Sequence, residues 1–395
     1  MKKGWTYKNF GDIVIFDKRF NGIPKDRQNN VVSFKHVTAE TLKDMLIDYG
    51  NVKLLATGLF SGYTSKEIAG ENINTGEVIT IPSGGNANIK YYKGDFVDSG
   101  NILCIAKDDS IYLKFVHYCL LYQNDFLESC YKGTSIHHPY MPDIWDVKIP
   151  IPDVLTQHSI VSRLDAAFAQ IDALKANAEK QLSEAGILFQ ASLKEKLEPK
   201  DGWIKKKLGE ITTKISDGSH NPPAGLNFSE YEMLSSKNVR NDLFNFENPR
   251  FLTKEDFDKE DKRTNLEKGD VLLTIVGAGL GNCCVYNFEK KIVFQRSVSV
   301  IKPSYDKITS RFLMYTLQYN YNRLRNESNG AAQKGIYLKQ LALYEVLIPN
   351  LIEQQSIVDC LDTLKSKVVQ LQENFAKISQ ECDALKQAML KEVFE

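Results

Sequence analysis

Long apolar runs are missing from this chain. None approaches the ~18 residues that a membrane-spanning helix needs, and no secretory apolar stretch follows Met1-Lys2-Lys3. A cytoplasmic protein is expected. Paired cysteine spacing is missing too. The seven cysteines (104, 119, 130, 283, 284, 360 and 382) are odd in number and never form a C-x-x-C pair. That argues against a disulfide frame or a zinc site and reads as reduced thiols. Nor is there a surplus of one charge: 50 Lys and Arg balance 50 Asp and Glu. A nucleic-acid binder usually carries a basic excess, so the average counts against DNA. Charge can be segregated, however, and Lys205-Lys206-Lys207 and Lys262-Arg263 are local basic clusters.

What the chain does have, it has twice. Gly4-Trp5 with Phe10-Gly11-Asp12-Ile13 returns as Gly202-Trp203 with Leu208-Gly209-Glu210-Ile211. Val147-Lys148-Ile149-Pro150 matches Val346-Leu347-Ile348-Pro349. Ser159-Ile160-Val161 with Leu164-Asp165 matches Ser356-Ile357-Val358 with Leu361-Asp362, and Leu193-Lys194-Glu195 matches Leu390-Lys391-Glu392. Between these anchors almost no identity remains. A tandem repeat of this size in 395 residues implies two similar domains related by an approximate two-fold axis.

Each copy reads as a mixed domain, an Ile-Pro punctuation and one long helix. The expected divisions are 1–152 (domain), 153–199 (helix), 200–350 (domain) and 351–395 (helix). Strand-like runs fall at 12–17, 78–81 and 101–106, then at 271–276 and 292–301; shorter helices are expected over 113–128 and 309–325. Lys93-Gly94-Asp95 and Lys268-Gly269-Asp270 mark turns before apolar runs. The class is α+β, with curved, mainly antiparallel sheet.

The long helices give the strongest periodic signal. In the second, apolar residues fall at Ile357, Leu361, Leu364, Val368, Leu371, Phe375, Ile378, Cys382, Leu385 and Met389, in alternating steps of four and three. That is a coiled-coil seam, and Asn350 with Glu353 gives it a capping start. The first helix keeps the pattern more loosely, at Ile160, Leu164, Ala167, Ile171, Leu174, Ala178, Ala185 and Leu188. So narrow a seam fits a single facing helix, and the two-fold repeat makes that pair an antiparallel coiled coil. Two unlike domains joined in this way suit an asymmetric, bipartite target, by the geometry with which dimeric readers span half-sites about one helical turn apart.

Several strings here resemble one family. They are the Trp-x4-Phe/Leu-Gly-Asp/Glu-Ile opening, Asp217-Gly218-Ser219-His220-Asn221-Pro222-Pro223, the Ile-Pro-x-Pro approach to the helix, and Gln354-Gln355-Ser356-Ile357-Val358. Together with the domain–helix order, they resemble the specificity subunit of type I restriction–modification systems over essentially the whole chain. Two departures stand out: Pro349-Asn350-Leu351 lacks the second proline of Ile149-Pro150-Ile151-Pro152, and Gln157-His158 stands where the second copy has Gln354-Gln355. The resemblance implies a non-catalytic subunit with two target-recognition domains binding double-stranded DNA. It implies partners as well: two methyltransferase subunits and restriction/translocase subunits. No cofactor is expected on this chain; S-adenosylmethionine, Mg and ATP belong to the partners.

Base reading needs side chains with paired donors and acceptors on loops that reach a groove. In the second domain the candidates are Ser216, Asp217, Gly218, Ser219, His220 and Asn221, then Gln295 and Arg296, then Gly330, Gln333, Lys334 and Tyr337 in the loop before the second Ile-Pro. In the first they are Lys132, Gly133, Thr134, Ser135 and His137, with Ser61, Tyr63 and Lys66 as a weaker set.

Other strings carry less. Asn221-Pro222-Pro223-Ala224 lacks the aromatic residue of the amino-methyltransferase motif, and no glycine-rich cofactor loop precedes it. Gly277-Ala278-Gly279-Leu280-Gly281 lacks the dinucleotide spacing and reads as a hairpin turn. His137-His138 has no partner at metal-ligand spacing. The competing readings are a coiled-coil interaction protein without nucleic acid and a fused restriction or modification enzyme. The second of these would need a further cofactor domain of roughly 200 residues.

Overall fold

In the computed structural model the described residues are 4–19, 31–277, 279–326 and 335–395. The chain divides into two compact units, residues 1–178 with 376–395, and residues 179–375.

The first unit begins at Gly4, whose φ of +89° opens a turn that a side chain would strain. Strand Thr6–Asn9 then pairs antiparallel with Lys148–Ile151, Thr6 facing Ile151. A single helical turn, Phe10–Ile13, leads into a six-stranded sheet. Its order is Val14–Phe16, Asn101–Ala106, Asn74–Pro82, Lys90–Ser99, Val52–Ala56, Ser61–Thr64. All neighbours are antiparallel except Val52–Ala56 beside Lys90–Ser99. Phe96 pairs with Asn74, yet Asn101, only five residues on, pairs with Pro82 at the far end of the same strand. A flat sheet cannot satisfy both, so this one curls on itself. Lys90 Nζ helps to close the curl, donating to Ala56 O (2.6 Å) and Gly58 O (2.7 Å). Helix Leu113–Tyr122 supplies Leu113, Phe115, Val116 and Leu120 to the core beside Ile79, Ile81 and Cys104.

The second unit repeats the frame. Gly202 again has φ +89°. Strand Ile204–Lys207 pairs with Glu345–Ile348, Ile204 facing Ile348. One helical turn, Leu208–Ile211, precedes a four-stranded antiparallel sheet in the order Thr212–Asp217, Val298–Pro303, Val271–Thr274, Cys283–Val285. A smaller sheet orders Arg250–Phe251, Glu232–Leu234 and Val293–Phe294, its last pair parallel. Helix Ser310–Tyr319 takes the place of Leu113–Tyr122.

Strand pairing corrects the alignment of the two copies. Thr6 and Ile204 face Ile151 and Ile348, so Ile151-Pro152 corresponds to Ile348-Pro349. The sequence match had placed Pro150 there, because Ile-Pro occurs twice in succession. The second proline is therefore not lost from the second copy. Pro150 is a strand residue opposite Tyr7, and Leu347 holds its place.

Both long helices, Val154–Leu197 and Leu351–Phe394, run 44 residues. Asp153 Oδ1 accepts from Thr156 N (2.9 Å) and Asn350 Oδ1 from Glu353 N (3.0 Å), so each helix starts on an acidic or amide cap. Glu353 does not reach back to the cap; its carboxylate accepts from Trp203 Nε1 at 3.0 Å. The second helix keeps its expected seam, with Leu385 alone exposed (51%).

The first helix needs a correction. Its inward positions are 164, 168, 171, 175, 178, 182, 185 and 189, whereas Leu174 and Leu188 are exposed. The apolar run Ile187-Leu188-Phe189 left the phase open, and the larger Phe189 took the core at 7% exposure. In the first unit the two helices run antiparallel: Arg163 pairs with Glu392 (3.6 Å), Lys175 with Asp383 (3.3 Å), and Cys382 Sγ lies 3.8 Å from Ile171 O. In the second unit Phe189, Leu193 and Leu197 share one core with Ile357, Leu361 and Val368.

Candidate nucleic-acid interface

In the second unit the candidate residues converge on one end of the four-stranded sheet. Strand Thr212–Asp217 runs out into Gly218, where an added Cβ would lie 2.1 Å from Phe294 O. Only glycine lets the two backbones meet there. Ser219 N then donates to Phe294 O (2.7 Å), and Arg296 N donates to Ser219 O (2.9 Å). Ile275 N bonds Ser297 O, and Ile336 N bonds Ile275 O, both at 2.9 Å. This backbone ladder carries the 216–221 segment, the 295–297 turn and the residues before Tyr337 to one edge.

Exposure divides the candidates. Ser216, Asp217, Gly218 and Ser219 are buried, whereas His220, Asn221, Arg296 and Tyr337 are exposed and Gln295 is half-buried. The buried ones build the edge rather than present it. Asp217 is its electrostatic centre: Oδ2 faces His220 Nε2 at 2.7 Å, Oδ1 accepts from Arg263 at 3.2 Å, and Arg263 Nε also donates to Asp217 O at 3.1 Å. Ser219 Oγ donates to Glu260 (2.9 Å). Arg263 and Glu260 come from helix Lys254–Thr264, of which only Lys262-Arg263 stood out in the sequence, as a local basic cluster. Gly330, Gln333 and Lys334 lie outside the described residues.

In the first unit the hairpin of strands Tyr131–Lys132 and His138–Pro139 carries Gly133, Thr134, Ser135 and His137, all exposed. Gly85 N donates to His137 O (2.9 Å), and His138 Nδ1 lies 2.7 Å from Ser83 O, pinning the hairpin to the turn after strand Asn74–Pro82. Gly133, at φ +155°, sits where a Cβ would be 2.2 Å from Ile136 O. Lys132 is engaged within the fold, 2.9 Å from Asp143 and 4.5 Å from the Tyr140 ring centroid.

The weaker set does not gather with the hairpin. Ser61, Tyr63 and Lys66 lie along or just after the edge strand Ser61–Thr64. Ser61 accepts from Lys53 (2.7 Å), Tyr63 lies under the Lys53 ammonium (4.3 Å), and Lys66 pairs with Asp95 (2.8 Å).

Sequence reasoning missed a buried triad under the hairpin end of the first sheet. His36 Nε2 lies 2.5 Å from Asp17 Oδ2 and His36 Nδ1 lies 2.8 Å from Asp98 Oδ2, with both aspartates fully buried. Burial alone would lower the pKa of His36, but its hydrogen bonds to Asp17 and Asp98 outweigh that and raise it. The three residues lie 19 and 62 positions apart in sequence, so no spacing could have announced them. Both domains thus place an aspartate–imidazole pair at the end of the strand that follows their first helical turn. The surrounding surface groups differ.

Comparison with known proteins adds the decisive fact. The family described as the type I restriction modification DNA specificity domain matches residues 2–184 and again residues 200–378. The chain belongs to this family. Among curated members of it, the chain is similar to the EcoBI specificity subunit of Escherichia coli, at 23% identity over 73% of this chain and 66% of that subunit, a little under two thirds of its length. It is also similar to the MjaVIII specificity subunit of Methanocaldococcus jannaschii, at 24% identity over 81% of this chain and 79% of that one. Two solved structures share the fold. One is the HsdS subunit from Thermoanaerobacter tengcongensis (TM-score 0.51, 18% identity, covering 100% of this chain and 97% of that chain). The other is a chain from work on assembly and conformational transition of the type I R-M system (TM-score 0.67, 18% identity, covering 100% and 98%).

Proposed function

We propose that this chain is the non-catalytic, DNA-reading subunit of a type I restriction–modification assembly, with each domain reading one half of a bipartite duplex target. One observation carries the reading: a common frame that presents different groups. Paired strands, a one-turn helix and a capped long helix recur in both units, yet the reading edge of one offers the 133–137 hairpin and that of the other offers His220, Asn221, Gln295 and Arg296. Unlike edges on like frames imply unlike half-sites. Neutral net charge does not oppose this, because base reading draws on local groups.

Exchanging residues 202–349 for those of a relative with another target tests the reading. The half-site read by that domain should change and the other should stay. A change in both, or sequence-indifferent binding when the methyltransferase partner is present, would refute it.

Attachment of two methyltransferase subunits is the finer part of the proposal. Its support is a repeated surface feature. Leu155 and Ile352 hold the same place in the first turn of the two long helices, and both are large apolar residues left 82% and 86% exposed. Two like apolar points suit two copies of one partner. Leu155→Glu and Ile352→Glu should each remove one copy, as read by native mass spectrometry. Restriction/translocase subunits join the same assembly, and S-adenosylmethionine, Mg and ATP act on the partners.

A further inference from the structure

Two adjoining depressions of about 460 and 610 Å³ open beside the 131–139 hairpin of the first unit, and they share Arg19, Ser83, Gly100 and His138. Among the described residues no acidic one lines either depression. The rest of the second wall includes His36, Thr38, Thr57, Gly84 and Ser99, so hydroxyls and side-chain-free backbone accompany three basic groups, Arg19, His36 and His138. An exposed guanidinium with imidazole and hydroxyl groups in a recess is a donor set for an anion.

The two buried carboxylates nearby are each held in a hydrogen-bond set with His36, which itself lines the second depression. Asp17 takes His36 Nε2 and Arg19 N (3.2 Å); Asp98 takes His36 Nδ1, Asn101 N (3.2 Å) and Asn101 Nδ2 (2.6 Å). The Asp17 bond fixes the Arg19 backbone, while the Arg19 side chain is exposed and pairs with no carboxylate among the described residues. His138 is oriented as well. Its Nδ1 faces the Ser83 carbonyl, which only accepts, so Nδ1 carries a proton, and Nε2 donates to an anion when the ring carries its second proton.

We propose that this recess seats a backbone phosphodiester of duplex DNA on Arg19 and His138, holding the duplex while the neighbouring hairpin enters a groove. The inference rests on the DNA-reading proposal and adds a division of labour: the hairpin specifies, the recess positions. A recess cannot meet a stacked base edge, which must be reached by something that protrudes. The hairpin residues 132–137 are all exposed beside it.

The test is salt-titrated binding of the complex assembled with its methyltransferase partner, on cognate and on scrambled duplex, for wild type, Arg19→Ala, Arg19→Lys and His138→Gln. Arg19→Ala should weaken both duplexes alike, about tenfold, and flatten the plot of log affinity against log salt by about 0.9. Arg19→Lys should keep the wild-type slope, since an ammonium also serves a phosphate. His138→Gln should weaken both duplexes alike by a smaller factor. If Arg19→Lys lost discrimination at one base pair, Arg19 would be a base reader and the phosphate seat would be wrong. An unchanged slope in Arg19→Ala would refute it equally. Wild-type binding that ignores sequence would refute the bipartite reading while leaving the seat measurable on scrambled duplex. No binding to either duplex would overturn both.

Discussion

Gln157 and Gln354 make the same three hydrogen bonds in the two halves of the chain. Gln157 Nε2 donates to Pro152 O (3.0 Å) and Ser110 O (2.9 Å), and its Oε1 accepts from Tyr112 N (2.8 Å). Gln354 Nε2 donates to Pro349 O (3.0 Å) and Lys307 O (2.8 Å), and its Oε1 accepts from Thr309 N (3.0 Å). Both side chains are fully buried. Each therefore ties the first turn of a long helix to the segment that starts the domain's own helix. A proline carbonyl and a loop carbonyl that would otherwise be orphaned are both satisfied.

Gln354→Leu keeps the volume and takes the partner from one buried and two part-buried backbone groups. At about 1–3 kcal/mol for each unsatisfied group, a loss of roughly 3–5 kcal/mol is expected, read by denaturant unfolding. Gln157→Leu should cost a similar amount. A loss under about 1 kcal/mol in both would show that water replaces the clamp.

The repeated glycine of the opening motif should behave differently in the two copies. A Cβ at Gly11 would lie 1.9 Å from the Trp145 indole, whereas at Gly209 it would lie 3.2 Å from Ala342 O. Gly11→Ala should destabilise by roughly 3 kcal/mol through overpacking, and Gly209→Ala by under about 1. Thermal unfolding of the two variants separates them. Equal losses would mean that the space at the two sites does not set the difference.

Phase along the first long helix has its own test. Phe189 is 7% exposed and Leu188 is 58% exposed. Phe189→Ala should cost about 3–5 kcal/mol and Leu188→Ala under about 1. The reverse ranking would restore the seam read from sequence.

Two histidines of the first unit titrate in opposite senses. His36 is raised above its ordinary 6.5, so its contribution is complete below that pH and is lost as pH rises through the raised value. His117 is lowered to about 4, chiefly by burial, so its contribution is complete above 6.5 and is lost as pH falls toward 4. The unfolding midpoint should fall off on both sides of the neutral range. His36→Gln should flatten the alkaline limb alone, and an unaltered limb would rule out the triad as its source.

Repeat, helix pairing and class were legible because each rests on spacing. A four-three seam and a duplicated anchor survive as patterns whatever the tertiary detail. What stayed hidden needed three dimensions. The Asp17–His36–Asp98 triad joins segments far apart in sequence, and Arg263 reaches Asp217 from a helix 46 residues on. Among the candidate residues, spacing found the segments but could not say that Ser216 and Ser219 turn inward while His220 turns out. The first helix misled for a local reason: three consecutive apolar residues satisfy either phase, and ring size decides only once a core exists to fill. The two halves even depart from the repeat at one contact. Lys386 lies 5.2 Å from the Phe168 ring, and Lys365 lies 5.4 Å from the Phe189 ring, so both phenylalanines come from the first long helix and both lysines from the second, although the repeat would have reversed their places.

The core of the first unit includes Leu390, Val393 and Phe394, with Phe394 edge-on to Phe115 at 5.6 Å. On the ribosome, residues 5–178 emerge early yet have to wait for that last turn of the second helix before their interior can close. At roughly 5–20 residues per second, the delay is on the order of ten seconds or more. During that interval the nascent first domain exposes the Phe115 surface, which makes it a natural client for chaperones until synthesis has run on from residue 178 to Phe394.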